Sequence, residues 1–320
     1  MKKRQFLAAC SLALALGSIS PSFAADQFPS REVKLIIPFA PGGATDVVFR
    51  VISEAAEAHL GKSIVPMNMG GAGGSKGSTF VKGQKADGYT LLGGHEFMMT
   101  TYYGGMVDFG LDAFEPVCTL AATPFTITAG THTPFKGYQE MIDYAKKNPG
   151  KVVIGMTPAS VQYVLWSEVA RTAGLDFGKN FRVVIINGSG PQVKALLGKH
   201  IDMVSGDVPS NIEYVKDGRM QFLAVSNPER VPQIANVPTQ KELGYDVNLA
   251  VTRAVFAPKG TPKEVIAKIA KAYEMASKDP AVVKKIEDLG NQMLYLDPQQ
   301  TKEYFGKLDK IYKSAFEQQK

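Results

Sequence analysis

The chain is short of the residue types that build metal centres and disulfide frameworks. Its 320 residues include two cysteines and four histidines. The histidines lie far apart, and His95-Glu96 is not followed by a second histidine at the spacing of a helical zinc motif. Two cysteines allow one disulfide at most. The sequence therefore predicts no metal site, and it predicts that a packed core rather than cross-links holds the fold together.

Long runs of one kind of residue are also missing. No extended Lys/Arg run is present to follow a phosphate backbone, so the composition does not support nucleic-acid binding. Beyond the N-terminus, no stretch is long and apolar enough to cross a bilayer. Small-molecule binding and catalysis are the function classes that stay open.

The N-terminus has the parts of a secretory signal peptide. Basic residues 2–4 precede an uncharged apolar run at residues 6–17, and small residues flank a cleavage position after Ala24. We expect residues 1–24 to be removed on export to the periplasm. Cys10 stands in a lipobox-like sequence, but the apolar run continues past it, so lipidation there is not favoured.

Removal of the signal peptide changes the charge and the cysteine count. The rest of the chain has 33 basic and 30 acidic residues, a mild net charge of +3, and Cys118 as its single cysteine. About 296 residues remain, a length that fits two domains.

Apolar strands and helical patterns alternate along the remaining chain, which predicts an α/β fold with mainly parallel sheets. An apolar strand at residues 33–38 leads to a helix that starts at Ala44 and that Gly61 ends. Further strands are predicted at residues 64–67, 90–93, 152–155, 182–186, 201–205 and 222–225. Helices are predicted at residues 138–147, 161–173, 191–197, 212–216, 262–277, 280–289 and 298–316. Residues 117–122 and 231–256 are the candidates for crossings between two domains.

The turn after the first strand has the features of an anion site. Pro41, Gly42 and Gly43 lead into a helix, whose first N–H groups have no partner within the helix and lie at the positive end of its dipole. Glycine lets a ligand approach the backbone closely. The same residues also fit an unoccupied strand-to-helix turn, with Thr45 or Asp46 as the cap.

Nucleotide and hydrolase motifs are matched only in part. Neither a P-loop nor a dinucleotide fingerprint is complete, since Ala56 replaces the leading glycine of one and Lys76 the last glycine of the other. Residues 73–77 match the G-x-S-x-G of α/β-hydrolases, but Ser75 does not follow directly on the predicted strand. A periplasmic serine esterase that uses Ser75 stays an alternative.

Three other small-residue turns connect a predicted strand to a predicted helix, at residues 155–160, 187–191 and 205–209. In an open parallel sheet, such turns meet at the carboxyl ends of the strands, where ligands bind. Several helix N-termini with few catalytic side chains suit holding an anion better than transforming it.

Six sequence blocks have an order and spacing typical of one protein family. They are "FPSREVKLIIPFAPGGATDVVFR", "GGAGGSKGS", "ADGYTLL", "LLGKHIDM", "NVPT" and "FAPKGTP". Through them the chain resembles the substrate-binding proteins of tripartite tricarboxylate transporters, the Bug family of periplasmic receptors. The resemblance implies a type II periplasmic-binding-protein fold, with two α/β lobes joined by two crossing strands and a ligand cleft between them. It places lobe 1 at residues 25–122 and 232–320, and lobe 2 at residues 123–231.

The resemblance also implies a function and a site. The expected protein is a receptor without catalytic activity or cofactor, which captures a small organic carboxylate and delivers it to the membrane subunits of a transporter. Main-chain groups of two lobe 1 loops would hold the carboxylate, at Pro41, Gly42, Gly43 and Ala44 and at Gly73, Gly74 and Ser75. Lobe 2 would contribute Thr157, Ser160 and Asp207.

Departures from the family pattern leave the ligand open. Met69-Gly70 replace a usual Arg-Pro, and Thr252 replaces a frequent Trp. Arg253 beside it either faces the cleft and pairs with a distal carboxylate, or is solvated on a lobe surface. Residues 94–105 either line the cleft or pack lobe 1. The candidate ligands are tricarboxylates, C4–C6 dicarboxylates, acidic amino acids and aromatic carboxylates, and a receptor for a sensor kinase would share the same cleft.

Overall fold

The computed structural model describes residues 28–157, 160–186 and 188–317. The predicted signal peptide, residues 1–24, lies outside these ranges, as do the turn residues Pro158, Ala159 and Asn187.

Strands and helices alternate through most of the described chain, as predicted. The strands are β1 (Val33–Ile37), β2 (Ile64–Asn68), β3 (Thr90–Gly94), β4 (Phe114–Gly130), β5 (Val152–Met156), β6 (Phe181–Ile185), β7 (Met203–Gly206), β8 (Met220–Ser226), β9 (Ala250–Pro258) and β10 (Gln292–Leu296). The helices are α1 (Ala44–Leu60), α2 (Ser75–Lys82), α3 (Phe97–Tyr103), α4 (Tyr138–Lys147), α5 (Val161–Thr172), α6 (Phe177–Asn180), α7 (Ser189–Leu197), α8 (Val208–Lys216), α9 (Lys263–Ser277), α10 (Pro280–Asp288) and α11 (Pro298–Glu317).

The strands form two sheets that share β4. The first sheet has the order β2-β1-β3-β9-β4-β10, and the second has the order β8-β4-β7-β5-β6. Up to Pro124, β4 pairs with β9, and from Phe125 onward it pairs with β8 and β7. The predicted crossing at residues 117–122 therefore lies in the strand that connects the two sheets.

The expectation of mainly parallel sheets is wrong around β4. Strands β1, β2 and β3 are parallel, and so are β5, β6 and β7. However, β9 runs antiparallel to both β3 and β4, and β4 runs antiparallel to β7, β8 and β10. The parallel parts come from strand–helix–strand repeats, whereas the strands that carry the chain between the sheets pair with opposite direction.

Helices cover the first sheet on both faces. On one face α1 and α9 pack against buried Leu35 and Val255. On the other face α3 and α11 pack around Phe256, whose ring centroid lies 5.3 Å from that of Phe305. Helix α11 also reaches the second sheet's helices, because the Phe316 ring lies 5.9 Å from that of Tyr163 in α5. The C-terminal helix thus contacts both halves of the molecule.

The single cysteine of the described chain contributes to this packing. Cys118 is a free, fully buried thiol, and burial raises its pKa well above the usual value. Among the residues the structure describes, no helix combines the length and the apolar character needed to span a bilayer.

Two glycines with similar backbone angles provide a matched test of the packing. Gly88 (φ +83°) and Gly218 (φ +70°) are both left-handed, but a Cβ on Gly88 would meet Val265 and Phe28, whereas nothing lies within 4 Å of a Cβ on Gly218. Both Gly→Ala changes carry backbone strain of roughly 1 kcal/mol. We expect Gly88→Ala to lose about 1–3 kcal/mol more than Gly218→Ala, since it also overpacks the core. Urea unfolding measures both, and equal losses would contradict the packing of α9 on this turn.

Candidate ligand-binding site

Two neighbouring loops leave the first sheet at the same edge. Loop A, residues 38–43, follows β1, and loop B, residues 69–74, follows β2; the two strands are parallel partners. The Met69 N–H donates to the Ile37 carbonyl at 2.8 Å. A Cβ on Gly70 would lie 3.5 Å from the Phe39 carbonyl carbon. The loops are therefore in contact where they leave the sheet, as parallel pairing of their strands requires.

A buried carboxylate in α1 fixes the two loops to each other. Asp46 accepts hydrogen bonds from the Gly42 N–H and from Asn68 Nδ2, both at 2.8 Å, and from Arg50 Nε at 2.9 Å. Asn68 Nδ2 also donates to the Phe39 carbonyl at 3.1 Å. Burial raises the pKa of Asp46, but the hydrogen bonds from Arg50, Gly42 and Asn68 outweigh it and hold the pKa below its usual value. Sequence alone left Asn68 unnoticed, because its partner lies 22 residues away.

Some main-chain N–H groups around loop A are bonded within the protein, and others have no acceptor. Pro41 has no N–H, the Gly42 N–H is used by Asp46, and the Gly43 N–H points to the Ala40 carbonyl at 3.4 Å. The N–H groups of Ala44 and of the next two residues begin α1, and no acceptor for them occurs among the described residues. Residues 41–44 are exposed. The unpaired N–H groups thus start at Ala44, one residue after Gly43.

Loop B uses two of its three predicted donors internally. The Gly74 N–H donates to the Gly71 carbonyl at 3.0 Å, and the Ser75 N–H donates to the Ala72 carbonyl. In the described chain, the Gly73 N–H and the Ser75 hydroxyl have no hydrogen-bond partner. Gly74 (φ +101°) must be glycine, because a Cβ would come within 2.6 Å of the Phe97 ring. Of the three predicted residues, Gly73 therefore keeps an open main-chain N–H and Ser75 an open hydroxyl.

In the second sheet, a glutamine pair connects the turns that follow β5, β6 and β7. Gln162 Nε2 donates to the Ser205 carbonyl at 2.6 Å and to Gln192 Oε1 at 3.0 Å. Gln162 Oε1 accepts from the Thr157 N–H at 3.0 Å. The Ser160 hydroxyl donates to the Thr157 carbonyl at 2.6 Å. Thr157 and Ser160 are thus held together, as predicted for neighbours in one turn, whereas neither glutamine was singled out by a sequence pattern.

Asp207 has a local structural role in addition to its predicted one. One of its carboxylate oxygens accepts from the Ser210 N–H at 2.8 Å and so caps α8, which explains why that helix starts four residues before the predicted 212. The first turn of α8 lies close to the segment between α10 and β10, because a Cβ on Gly290 would meet the ring of Pro209.

Arg253 is not a solvated surface residue, so that alternative is wrong. Its exposure is 3%, and its Nη1 donates to Thr123 Oγ1 at 2.6 Å and to Asn291 Oδ1 at 3.1 Å. Burial lowers its pKa to about 10, while the charges of Glu96 and Asp207 act to raise it. The guanidinium is therefore still a cation at neutral pH, placed where β4 passes from one sheet to the other.

In the aromatic and methionine-rich segment 94–105, the phenylalanine and methionine residues pack the first sheet, whereas Tyr102 is 39% exposed. Phe97, Met98 and Met99 in α3 are buried in its core. The two residues before them are buried and ionisable. His95 stacks on Phe39 with ring centroids 4.9 Å apart, and both Glu96 carboxylate oxygens accept from the Thr252 N–H at 2.9–3.0 Å.

Burial shifts both of these residues toward their neutral forms. Desolvation raises the pKa of Glu96 to about 7, against the hydrogen bond from Thr252 and the charge of Arg253. Desolvation and the charge of Arg253 lower the pKa of His95 to about 3. At neutral pH, Glu96 therefore only partly balances the positive charge of Arg253.

Two crevices of about 760 and 380 Å³ lie away from the two loops. The larger is bounded by Tyr163, Arg171 and Phe177 of α5 and α6, and the smaller by Ala122 and Tyr304 beside the strand crossing. Neither is lined by a residue of loop A or loop B, so the loop donors are not part of either crevice.

The sequence model of the tripartite tricarboxylate transporter receptor family, TctC, matches residues 48–315. The chain belongs to this family. Protein BugT of Bordetella pertussis is 29% identical to it over 312 residues, which cover 94% of this receptor and 93% of BugT.

Two solved structures share the fold of this receptor. A TctC solute binding protein from Polaromonas, solved without ligand, superposes with a TM-score of 0.80 at 25% identity and covers 91% of the receptor and 99% of that chain. MatC from Rhodopseudomonas palustris, solved with bound malate, superposes with a TM-score of 0.69 at 27% identity and covers 91% and 99%. The predicted type II periplasmic-binding-protein fold, with two α/β lobes, is thereby confirmed.

The buried Glu96 predicts a distinctive pH dependence of stability. Its folded-state pKa of about 7 lies above the usual glutamate pKa of 4.5, so the unfolded chain loses this proton first as pH rises. The free energy of unfolding should therefore fall between about pH 4.5 and pH 7, by on the order of 3 kcal/mol from this group. His95 has the opposite effect, since its lowered pKa reduces the free energy of unfolding as pH falls below 6.5. This contribution is the same in the two proteins compared below.

The comparison of wild type with Glu96→Gln isolates the carboxyl group. The two proteins should have similar stability near pH 4, and the variant should be the more stable one at pH 8, in urea unfolding followed across this range. A stability difference that does not change with pH would show that Glu96 is not protonated in the folded state.

Proposed function

We propose that this receptor binds a small organic carboxylate between its lobes and passes it to the membrane subunits of a tripartite transporter. The observation that carries the proposal is the group of N–H donors at the start of α1, held in place by Asp46 and without an acceptor among the described residues. Such a site takes an anion, since the helix dipole and the orphan donors act together. The similar structure of MatC, solved with bound malate, supports a carboxylate as that anion.

The proposed lobes follow the division between the two sheets. Lobe 1 comprises residues 25–122 and 232–320, and lobe 2 comprises residues 123–231. In support, β4 leaves the first sheet after Pro124 and enters the second at Phe125. We also propose that the protein acts in the periplasm after removal of residues 1–24, as its basic-then-apolar start indicates.

Binding would proceed by capture on lobe 1 and closure of lobe 2. The N–H groups of exposed Ala44 and of the two residues after it take the first carboxylate, with Gly73 of loop B and Ser75 at the start of α2 beside them. Closure then adds Thr157, Ser160 and Asp207 from the other side. Each charge-assisted hydrogen bond becomes stronger as water leaves the cleft. Because the Asp46 contacts already fix loop A, little ordering is needed on binding, which suits a small ligand.

A non-catalytic role is proposed for Ser75. It begins α2 with ordinary helical angles, φ −62° and ψ −32°, and not the strained turn of a hydrolase nucleophile. His95, on the neighbouring strand end, accepts from the Phe97 N–H at 3.1 Å through Nδ1, and burial keeps its pKa near 3. That histidine is therefore a poor base at neutral pH.

A fluorophosphonate probe tests this role. The wild-type protein should remain unlabelled under conditions that label a serine esterase control to completion. Labelling of the wild type that disappears in Ser75→Ala would favour the esterase alternative.

The central test of the carboxylate site removes one N–H with little change to the fold. Ala44→Pro deletes the first donor of α1 at the helix position where proline is best tolerated, and Gly43 before it is extended (ψ 160°), as a pre-proline residue should be. A thermal-shift panel of C4–C6 dicarboxylates, citrate, acidic amino acids and benzoates first identifies a ligand. Calorimetry should then show a loss of affinity of about 10-fold or more in Ala44→Pro, because one charge-assisted hydrogen bond is missing.

Ala44→Gly is the matched control, since it keeps the N–H and changes the same side chain. It should bind within about 3-fold of wild type, and all three proteins should melt at similar temperatures without ligand. Equal affinity of Ala44→Pro and wild type would contradict the loop assignment, and no response to any carboxylate would contradict the proposed ligand class.

A further inference from the structure

Arg253 stands out as a buried cation without an ion-pair partner. No carboxylate lies within 4 Å of its guanidinium in the described part of the chain. Its neighbours Thr123 and Asn291 are neutral. Burying a charge without a paired counter-charge is costly, and proteins keep such groups mainly where a function requires them.

The hydrogen bonds of Arg253 occupy only one end of its guanidinium. Nη1 donates to Thr123 Oγ1, to Asn291 Oδ1 and, at 3.5 Å, to the Val251 carbonyl. Nε is buried and has no partner, and Nη2 has none among the described residues either. The side formed by Nε and Nη2 presents two parallel N–H groups, which is the geometry that receives a carboxylate in bidentate fashion. The protein thus fixes the fork at one end and leaves its carboxylate-binding edge unused.

The position of Arg253 connects this edge to the proposed cleft. In the first sheet, Gly94 at the end of β3 is paired with Ala254, so Arg253 lies at the same sheet edge as the loops that follow β1 and β2. Its side chain belongs to the sheet face that carries α1, since alternate residue Val255 packs in the core with Val48 of that helix. Arg253 is therefore on the same face and edge as the α1 donors, at the side where β4 crosses between lobes.

We propose that the Nε–Nη2 edge of Arg253 is a second anionic subsite, which makes this receptor selective for ligands with two carboxylates over ligands with one. The proposal rests on the carboxylate function proposed above, and it narrows the ligand class. One carboxylate occupies the donors at the start of α1, and the second reaches the guanidinium at the crossing end of the cleft.

Matched ligands test the proposal without relying on the fold of one variant. A dicarboxylate from the thermal-shift panel is compared with its half-amide, which has the same length and one charge fewer. Wild-type protein should bind the dicarboxylate about 10- to 100-fold more tightly in calorimetry, the effect of a bidentate charge-assisted pair. In Arg253→Gln that preference should fall to about 3-fold or less, while the half-amide keeps its wild-type affinity.

Two further variants separate a subsite from a structural role. Arg253→Lys keeps the charge without the fork, and it should recover only part of the preference. Arg219→Gln removes an exposed arginine of lobe 2 and should leave both affinities unchanged. An equal loss of both ligands in Arg253→Gln, or an unchanged preference, would overturn the subsite. If neither ligand binds the wild type, the carboxylate function itself fails, which is a different result.

Discussion

The hydrogen bonds of Asp46 are the constraint on which the site depends. One buried carboxylate holds the Gly42 N–H in loop A and the amide of Asn68 at the end of β2, and Arg50 balances its charge. The Asp46 carboxylate uses the Gly42 N–H, a donor that a ligand would otherwise meet. In exchange, the donors that follow at the start of α1 are fixed in direction before any ligand arrives. Loop B is held by its own main-chain hydrogen bond from Gly74 to Gly71. The absence of a side chain at Gly74 lets Phe97 of α3 pack directly against the loop.

Charge is distributed unevenly behind these loops. Glu96 is buried with a pKa near neutrality and His95 is held neutral, so that Arg253 keeps an excess of positive charge at the edge of the first sheet. The exposed ion pairs of the molecule lie mainly along helices and contribute little to stability. The buried ionisable residues are the ones that shape the potential of the cleft, because low-dielectric surroundings screen them least.

The sequence predicted the order of the elements well, and the contacts between distant segments poorly. Helix α4 was predicted with both ends correct, because its apolar spacing and its flanking glycine are local signals. The antiparallel pairing of β4 with β9 was missed, since strand direction depends on topology and not on composition. In the site, the glycine turns were visible as patterns, but the use of the Gly42 N–H by Asp46 was not. Arg253 was left undecided for the same reason: its burial depends on Thr123 and Asn291, which lie 130 and 38 residues away.

The carboxylate site is tested most directly by a crystal structure of the receptor with the dicarboxylate that raises its melting temperature most. We expect one carboxylate about 2.7–3.2 Å from the main-chain nitrogens at the start of α1, beside Gly73 and Ser75. A well-ordered ligand bound elsewhere, with those N–H groups facing only water, would contradict it.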